Sequence, residues 1–173
     1  NLQALIDASR AGKMPHVDIC LTLSNRADAY ALQRAERSGI PSAVCQREKG
    51  EAREAFEARM LDILRAHDVE MLILAGFMAI LSKEFVQNYP DRILNVHPSL
   101  IPSFCGKGFY GLHVHEAALA YGVKVTGATV HLVNEVPDGG RILLQKAVEI
   151  EPGDTAETLQ RRVMEQAEWQ LLP

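Results

Sequence analysis

The sequence predicts an α/β fold of the Rossmann-like kind, a mostly parallel twisted sheet with helices on both faces. As far as about Lys124, apolar β-rich runs alternate with amphipathic stretches, which is typical of parallel strands joined by helices. Leu72-Ile73-Leu74 is apolar at consecutive positions, as expected of a strand buried on both faces. Two later β-rich runs flank the turn-rich residues 134–140 and predict an antiparallel strand pair at the C-terminal end.

The individual elements follow from periodicity and from punctuation by glycine and acidic residues. Gly39 and Gly122 each follow a helical stretch, as C-terminal stops do, and Asp28 and Glu51 lie near helix starts. The predicted strands are residues 17–23, 42–45, 71–75, 93–97, 126–133 and 142–150. The predicted helices are residues 2–11, 27–38, 51–67, 83–89, 112–121 and 155–170.

Composition limits the class of protein. A length of 173 residues with 47% hydrophobic and 23% charged residues suits one soluble globular domain. The net charge of −4 argues against a nucleic-acid partner. Three widely spaced cysteines indicate neither a disulfide framework nor a zinc site, and no apolar run reaches membrane-spanning length. We therefore expect a cytoplasmic protein, monomer or homodimer, that acts on small molecules without a membrane.

Both ends of the chain suggest a fragment of a longer protein. Helical periodicity begins at once in Asn1-Leu2-Gln3, without an initiator Met, and Pro173 directly follows a helical run. We expect residues 1–173 to form a single domain. It would lack a first strand and glycine-rich phosphate loop at the N-terminus, and the end of the C-terminal region.

Polar side chains follow the predicted strand 93–97, at the sheet edge where ligands of α/β proteins bind. Asn95 and His97 are two residues apart, so in extended backbone both point to the same side. An Asn amide can stabilise an oxyanion, and a nearby His can donate a proton. This pair suits transfer of an acyl-type group to an amine. Spacing alone equally allows a His that only satisfies a loop carbonyl.

The late loop adds a carboxylate and two glycines. Asp138 could hold His97 and favour its imidazolium form. Gly139 and Gly140 let the backbone approach a ligand closely, although Asp-Gly is also a routine turn.

Several other residues allow two interpretations. His113 and His115 form an H-x-H pair, which more often marks a solvated helix end than a metal site, and we expect no metal. His131 could face the site or be a half-buried strand residue. Cys105 and Lys107 in the glycine-rich loop could be reactive and phosphate-binding, but incidental loop residues are the simpler interpretation.

The chain resembles the folate-dependent formyltransferases over essentially its whole length. The motifs that carry this resemblance are specific for that superfamily when combined. They are Leu74-Ala75-Gly76-Phe77-Met78, Asn95-Val96-His97-Pro98-Ser99 with Leu100 and Pro102, residues 127–131, and Val136-Pro137-Asp138-Gly139-Gly140.

The resemblance implies 10-formyltetrahydrofolate as cosubstrate and donor, and glycinamide ribonucleotide as acceptor, in de novo purine biosynthesis. It places Asn95 and His97 at the formyl carbonyl, with Asp138 supporting His97 in proton movement. The implied folate-binding residues are Arg53, Met78, Ala79, Ile80, Leu81, Asn95, Val133 and Asp138, with backbone from 132 to 138. The implied ribonucleotide-binding residues are Asn1 and Glu168, and His131 supports the site.

The sequence departs from the family pattern at a few positions. Ala79 stands where Arg is common, and Trp169 replaces a common His after Glu168. Of the Gly-Ser/Thr-Asn loop that meets the phosphate, Asn1 alone is present. The loop 104–111 is longer than in the shortest members.

Three other functions fit parts of the pattern. A formyltetrahydrofolate hydrolase would use water as acceptor, and usually carries an additional N-terminal regulatory domain. A methionyl-tRNA formyltransferase domain would be expected beside a basic tRNA-binding extension. A non-catalytic nucleotide-binding domain would not require Asn95, His97 and Asp138 to converge.

Overall fold

A computed structural model describes residues 1–77 and 79–173, so Met78 lies outside the described residues. The chain divides into two compact units, residues 2–71 and residue 1 with residues 72–173. We refer to them as the N-terminal unit and the C-terminal unit. The expectation of a single domain over 1–173 stays a prediction.

The N-terminal unit contains a short parallel strand pair and three helices. In chain order its elements are α1 (Leu2–Arg10), β1 (Thr22–Ser24), α2 (Tyr30–Arg37), β2 (Ser42–Val44) and α3 (Arg53–Ala66). Leu5, Ile6 and Ala35 are buried, which gives α1 and α2 their apolar faces. The predicted strand 17–23 is shorter than expected, because β1 pairs with only three residues of β2, from Thr22 opposite Ser42 onward.

The C-terminal unit is built on a mixed four-stranded sheet in the order β3-β4-β5-β6. Its elements are β3 (Leu72–Leu74), α4 (Lys83–Val86), β4 (Ile93–His97), α5 (Leu112–Tyr121), β5 (Val125–Leu132), β6 (Ile142–Glu149), α6 (Ala156–Val163), a π-helical turn (Met164–Glu168) and α7 (Trp169–Leu171). Strand β3 pairs parallel with β4, whereas β4–β5 and β5–β6 are antiparallel.

The predicted α/β class and the antiparallel pair at the C-terminal end are confirmed. β5 and β6 pair along almost their whole length, with an irregularity between Val130 and His131. In the antiparallel pairing of β4 with β5, Asn95 stands opposite His131 and His97 stands opposite Thr129. Because directly opposed residues share one face of a sheet, this register brings Asn95 and His131 together.

The helix predicted over 155–170 differs from expectation in its second half. It begins at a capping box on Thr155 and is α-helical to Val163, and then widens into the π-helical turn. Such turns are rare and often lie at functional sites, because the inserted residue re-aims the side chains that follow. Glu168, the last residue of the turn, is buried. Within the described residues, no helix is long and apolar enough to cross a membrane.

Candidate functional site

A cavity of about 500 Å³ lies at the carboxyl ends of β3 and β4, within the C-terminal unit. This is the edge of the sheet where the sequence predicts ligands. Most of the predicted site residues line it. They are Asn1, Ala79, Ile80, Leu81, Asn95, His97, His131, Val133, Asp138 and Glu168.

Two residues predicted to bind folate are not among the described residues that line this cavity. Met78 is outside the described residues. Arg53 begins α3 in the N-terminal unit, where its Nε lies 3.1 Å from Glu57 Oε1. The folate contacts predicted for these two residues stay predictions.

His97 is buried at the end of β4, with 4% of its surface exposed. Its Nε2 lies 2.8 Å from the carbonyl oxygen of Phe104, and its Nδ1 lies 3.6 Å from Asp138 Oδ2. Because a carbonyl oxygen can only accept, the Nε2 N–H donates to Phe104, and Nδ1 faces the Asp138 carboxyl group. The ring thus contacts a loop carbonyl and also faces a carboxylate, and its catalytic role stays a prediction.

Asp138 reaches the histidines from the late loop. Its backbone is left-handed, with φ of 54°, and its Oδ1 lies 3.6 Å from His131 Nε2. The backbone N–H of Gly106 donates to its Oδ2 over 2.8 Å. Burial acts to raise the pKa of this carboxyl, but His131, the Gly106 N–H and His97 together hold the pKa below its ordinary value. Asp138 is therefore a carboxylate at neutral pH.

Position 140 requires a glycine because the backbone there passes very close to Leu132 at the end of β5. A Cβ on Gly140 would lie 1.7 Å from the Leu132 carbonyl oxygen, and one on Gly139 would lie 2.6 Å from the Val136 side chain. Any larger residue at position 140 would displace the backbone that presents Asp138. These close approaches are to the protein's own atoms, and the approach to a ligand that the sequence allows stays a prediction.

Asn95 is oriented by His131. Its Nδ2 lies 3.1 Å from His131 Nε2, and His131 Nδ1 lies 2.9 Å from the carbonyl oxygen of Leu132. Because the Leu132 carbonyl can only accept, His131 Nδ1 donates to it, and Nε2 lies beside the Asn95 amide and Asp138. The second N–H of the Asn95 amide then remains available to a ligand. His131 is almost completely buried beside Asn95, and the supporting role expected of it stays a prediction.

Two functional groups of the site lie in a backbone segment that sequence reasoning missed. The Phe104 carbonyl and the Gly106 N–H bond directly to His97 and Asp138. Backbone groups carry no signature in residue type, so only the glycine content of the loop 103–111 could have pointed to them. Phe104 also has a left-handed backbone, with φ of 48°.

The H-x-H pair does not converge on a metal site. His113 is exposed, with its Nδ1 3.0 Å from Glu116 Oε2. His115 is fully buried, and neither ring nitrogen has a hydrogen-bond partner within the described residues. Burial, followed by the charge of His97, lowers the pKa of His115 to about 4, so this ring is neutral at pH 7. Across those same residues, no group of three or more His, Cys, Asp or Glu is arranged to hold a metal ion.

Glu168 and Asn1 form a second polar cluster at the cavity. Asn1 Nδ2 donates to Glu168 Oε2 over 2.8 Å. Burial raises the pKa of the Glu168 carboxyl, although the hydrogen bond from Asn1 acts to lower it. A carboxyl with a raised pKa beside an amide can accept hydrogen bonds from hydroxyl or amine groups of a ligand.

Taken together, the cavity presents a neutral amide donor, an imidazole and a carboxylate at one end of a buried strand. This combination can stabilise a developing oxyanion and move a proton between two amines. Among the described residues that line the cavity, none is a nucleophile activated by a neighbouring base. Burial and the charge of Asp138 raise the pKa of the Cys105 thiol, which makes that residue a poor nucleophile.

Comparison with known proteins defines the class. The model of the formyl transferase family matches residues 1–173. The chain therefore belongs to the formyl transferase family.

Individual relatives within this family carry more specific names. A phosphoribosylglycinamide formyltransferase of Haemophilus influenzae is 40% identical over 173 residues, which cover 100% of this chain and 78% of the relative. The crystal structure of glycinamide ribonucleotide transformylase 1 from Symbiobacterium toebii superposes with a TM-score of 0.91 at 40% identity, covering 99% of this chain and 78% of that one. The chain also matches a trifunctional purine biosynthetic protein of Drosophila melanogaster at 42% identity, where it spans 12% of the relative's length.

Proposed function

We propose that this protein transfers the formyl group of 10-formyltetrahydrofolate to the amine of glycinamide ribonucleotide, giving formylglycinamide ribonucleotide in purine biosynthesis. The observation that carries this proposal is the convergence of His97 and Asp138, 3.6 Å apart, beside the Asn95 amide. The names of the relatives supply the acceptor, and the family resemblance implies the folate donor. A cavity whose described residues include no activated nucleophile supports direct attack by an amine.

The reaction joins the acceptor nitrogen to the formyl carbon and breaks the bond from that carbon to N10 of the folate. In the tetrahedral intermediate the carbonyl oxygen carries negative charge, which the free N–H of Asn95 and a protonated His97 stabilise. The attacking nitrogen loses a proton and N10 gains one. The distance from His97 Nδ1 to Asp138 Oδ2 is 3.6 Å, which is longer than a direct hydrogen bond. A proton therefore passes between His97 and Asp138 after a small movement of the side chains or through a water molecule.

The two substrates occupy different parts of the cavity in this proposal. The apolar side chains of Ile80, Leu81 and Val133 contact the folate ring system, with Ala79 and the loop backbone beside them. Asn1 and Glu168 contact the ribonucleotide. For Met78 and Arg53, contacts with the folate rest on the family resemblance alone.

The test is an absorbance assay that follows loss of the 10-formyl donor, with and without glycinamide ribonucleotide. We expect turnover that depends on the ribonucleotide and is lost in the His97→Ala variant. Turnover of the donor without the ribonucleotide would identify a hydrolase instead. A folded protein with no turnover under either condition would support a non-catalytic nucleotide-binding domain and overturn the proposal.

A further inference from the structure

The cavity is poor in cations. Among the described residues that line it, Lys107 is the sole lysine or arginine. The lining carboxylates are Asp138 and Glu168, and Asp138 is held in its charged form. Both proposed substrates are anions, because one carries a phosphate and the other carries the carboxylates of its glutamate. An anion that enters a partly enclosed cavity beside a carboxylate requires a compensating positive charge.

Lys107 lies close to the catalytic groups along the chain. The preceding residue, Gly106, donates its backbone N–H to Asp138 Oδ2 over 2.8 Å, which fixes the start of the segment. Gly106 and Gly108 have φ of 86° and 93°, so the backbone turns on both sides of the lysine. Lys107 therefore directly follows a residue, Gly106, whose backbone is bonded to the Asp138 carboxylate.

The ammonium group of Lys107 is available to a ligand. The side chain is exposed, and within the described residues it has neither a hydrogen bond nor an ion pair. Two other cations of the C-terminal unit have partners: Lys146 contacts Gln170, and Arg162 contacts Asp154. A lysine on a flexible stem can meet a phosphate or a carboxylate as a point charge without a fixed geometry.

We propose that Lys107 is a substrate-binding residue that pairs with an anionic group, a phosphate or a carboxylate, at the mouth of the cavity. This inference rests on the proposed function for the identity of the substrates. It assigns a role to the glycine-flanked lysine of the long loop, in a cavity where position 79 is an alanine and contributes no charge. In this proposal Lys107 contributes to substrate affinity, whereas His97 and Asp138 carry out the proton transfers.

The test compares Lys107→Gln and Lys107→Arg with the wild-type protein in steady-state assays that vary one substrate at a time. Lys124→Gln is the matched control, because Lys124 is also exposed but does not line the cavity. We expect Lys107→Gln to raise the KM of one substrate about tenfold with little change in kcat, as the loss of one charge-assisted contact would. Lys107→Arg should retain most of the affinity, and Lys124→Gln should resemble the wild type.

The affected substrate identifies the anion. A higher KM for glycinamide ribonucleotide alone indicates the phosphate. A higher KM for the folate, absent when the donor lacks its glutamate, indicates the carboxylates. KM values that stay within about twofold of the wild type for both substrates overturn the proposal.

Calorimetric binding of each substrate separately distinguishes this inference from the proposed function. If the wild type binds a substrate without turning it over, and Lys107→Gln weakens that binding, Lys107 is a binding residue and the catalytic proposal fails. If Lys107→Gln binds both substrates as tightly as the wild type, the role of Lys107 is excluded whatever the protein catalyses.

Discussion

Strand β4 and the late loop 134–140 each deliver part of the site, and they hold their side chains by different means. Asn95 is paired with a strand on each side of β4, and His97 is paired with β5. Asp138 depends on a left-handed backbone, on one hydrogen bond from Gly106 and on the close packing at Gly140. We infer that chemistry and folding are separable on the strand, whereas on the loop a substitution at Gly140 affects both.

Loss of His97 should have the largest effect on turnover. Removing the imidazole eliminates the proton donor, so we expect His97→Ala to lower kcat about a thousandfold. The β4 pairing stays intact, so affinity for the folate donor should change far less. Steady-state kinetics and equilibrium donor binding measure the two quantities. Equal losses in both would contradict a catalytic role, and His113→Ala provides a control on an exposed histidine.

Asp138→Asn tests the loop half without changing its shape. The amide oxygen can still accept from the Gly106 N–H, but the negative charge that favours a protonated His97 is gone. We expect kcat to fall about a hundredfold, somewhat less than for His97→Ala. Near-wild-type turnover in a variant of unchanged melting temperature would mean that Asp138 only holds the loop in place.

Gly140→Ala tests the packing that presents Asp138. The new methyl would meet the Leu132 carbonyl oxygen, so the loop must shift, at a cost of about 2 kcal/mol in unfolding free energy. Turnover should fall with it. Gly153→Ala is the comparison, because Gly153 has φ of 87° but open space around it. That variant should lose about 1 kcal/mol from backbone strain alone and keep its turnover.

His115 predicts a pH dependence of stability with a defined sign. Its folded pKa of about 4 lies below the ordinary 6.5, so the unfolded chain binds the proton more tightly. The free energy of unfolding contributed by this group is complete above pH 6.5 and is lost as the pH falls toward 4, by up to about 3 kcal/mol. Denaturant titrations at several pH values measure it. A His115→Leu variant with the same pH slope as the wild type would contradict this account.

The strand half of the site could be predicted from sequence because strand geometry is periodic. Asn95 and His97 are two residues apart on a buried strand, and that spacing determines a common side before any tertiary contact is known. The ends of the strands were less predictable from the sequence. The strand expected over 17–23 is limited by the three residues of its partner β2, which no local pattern reveals.

The loop half could not be derived from local patterns alone. The partners of Asp138 are His97, His131 and the Gly106 N–H, which are distant from it in sequence. The Asp-Gly-Gly string equally describes a routine turn, and only the proximity of Leu132 to Gly140 distinguishes the two cases. The resemblance to a family supplied what spacing left open for this loop.

The central claim is that His97 on the strand and Asp138 on the loop act as one unit, and a double-mutant cycle measures this most directly. The kcat/KM values of wild type, His97→Ala, Asp138→Asn and the double variant give the coupling free energy. If the two residues act together, the double variant is no slower than His97→Ala alone. If the two fold-losses in kcat/KM multiply in the double variant, His97 and Asp138 act independently, which would contradict a shared role for them.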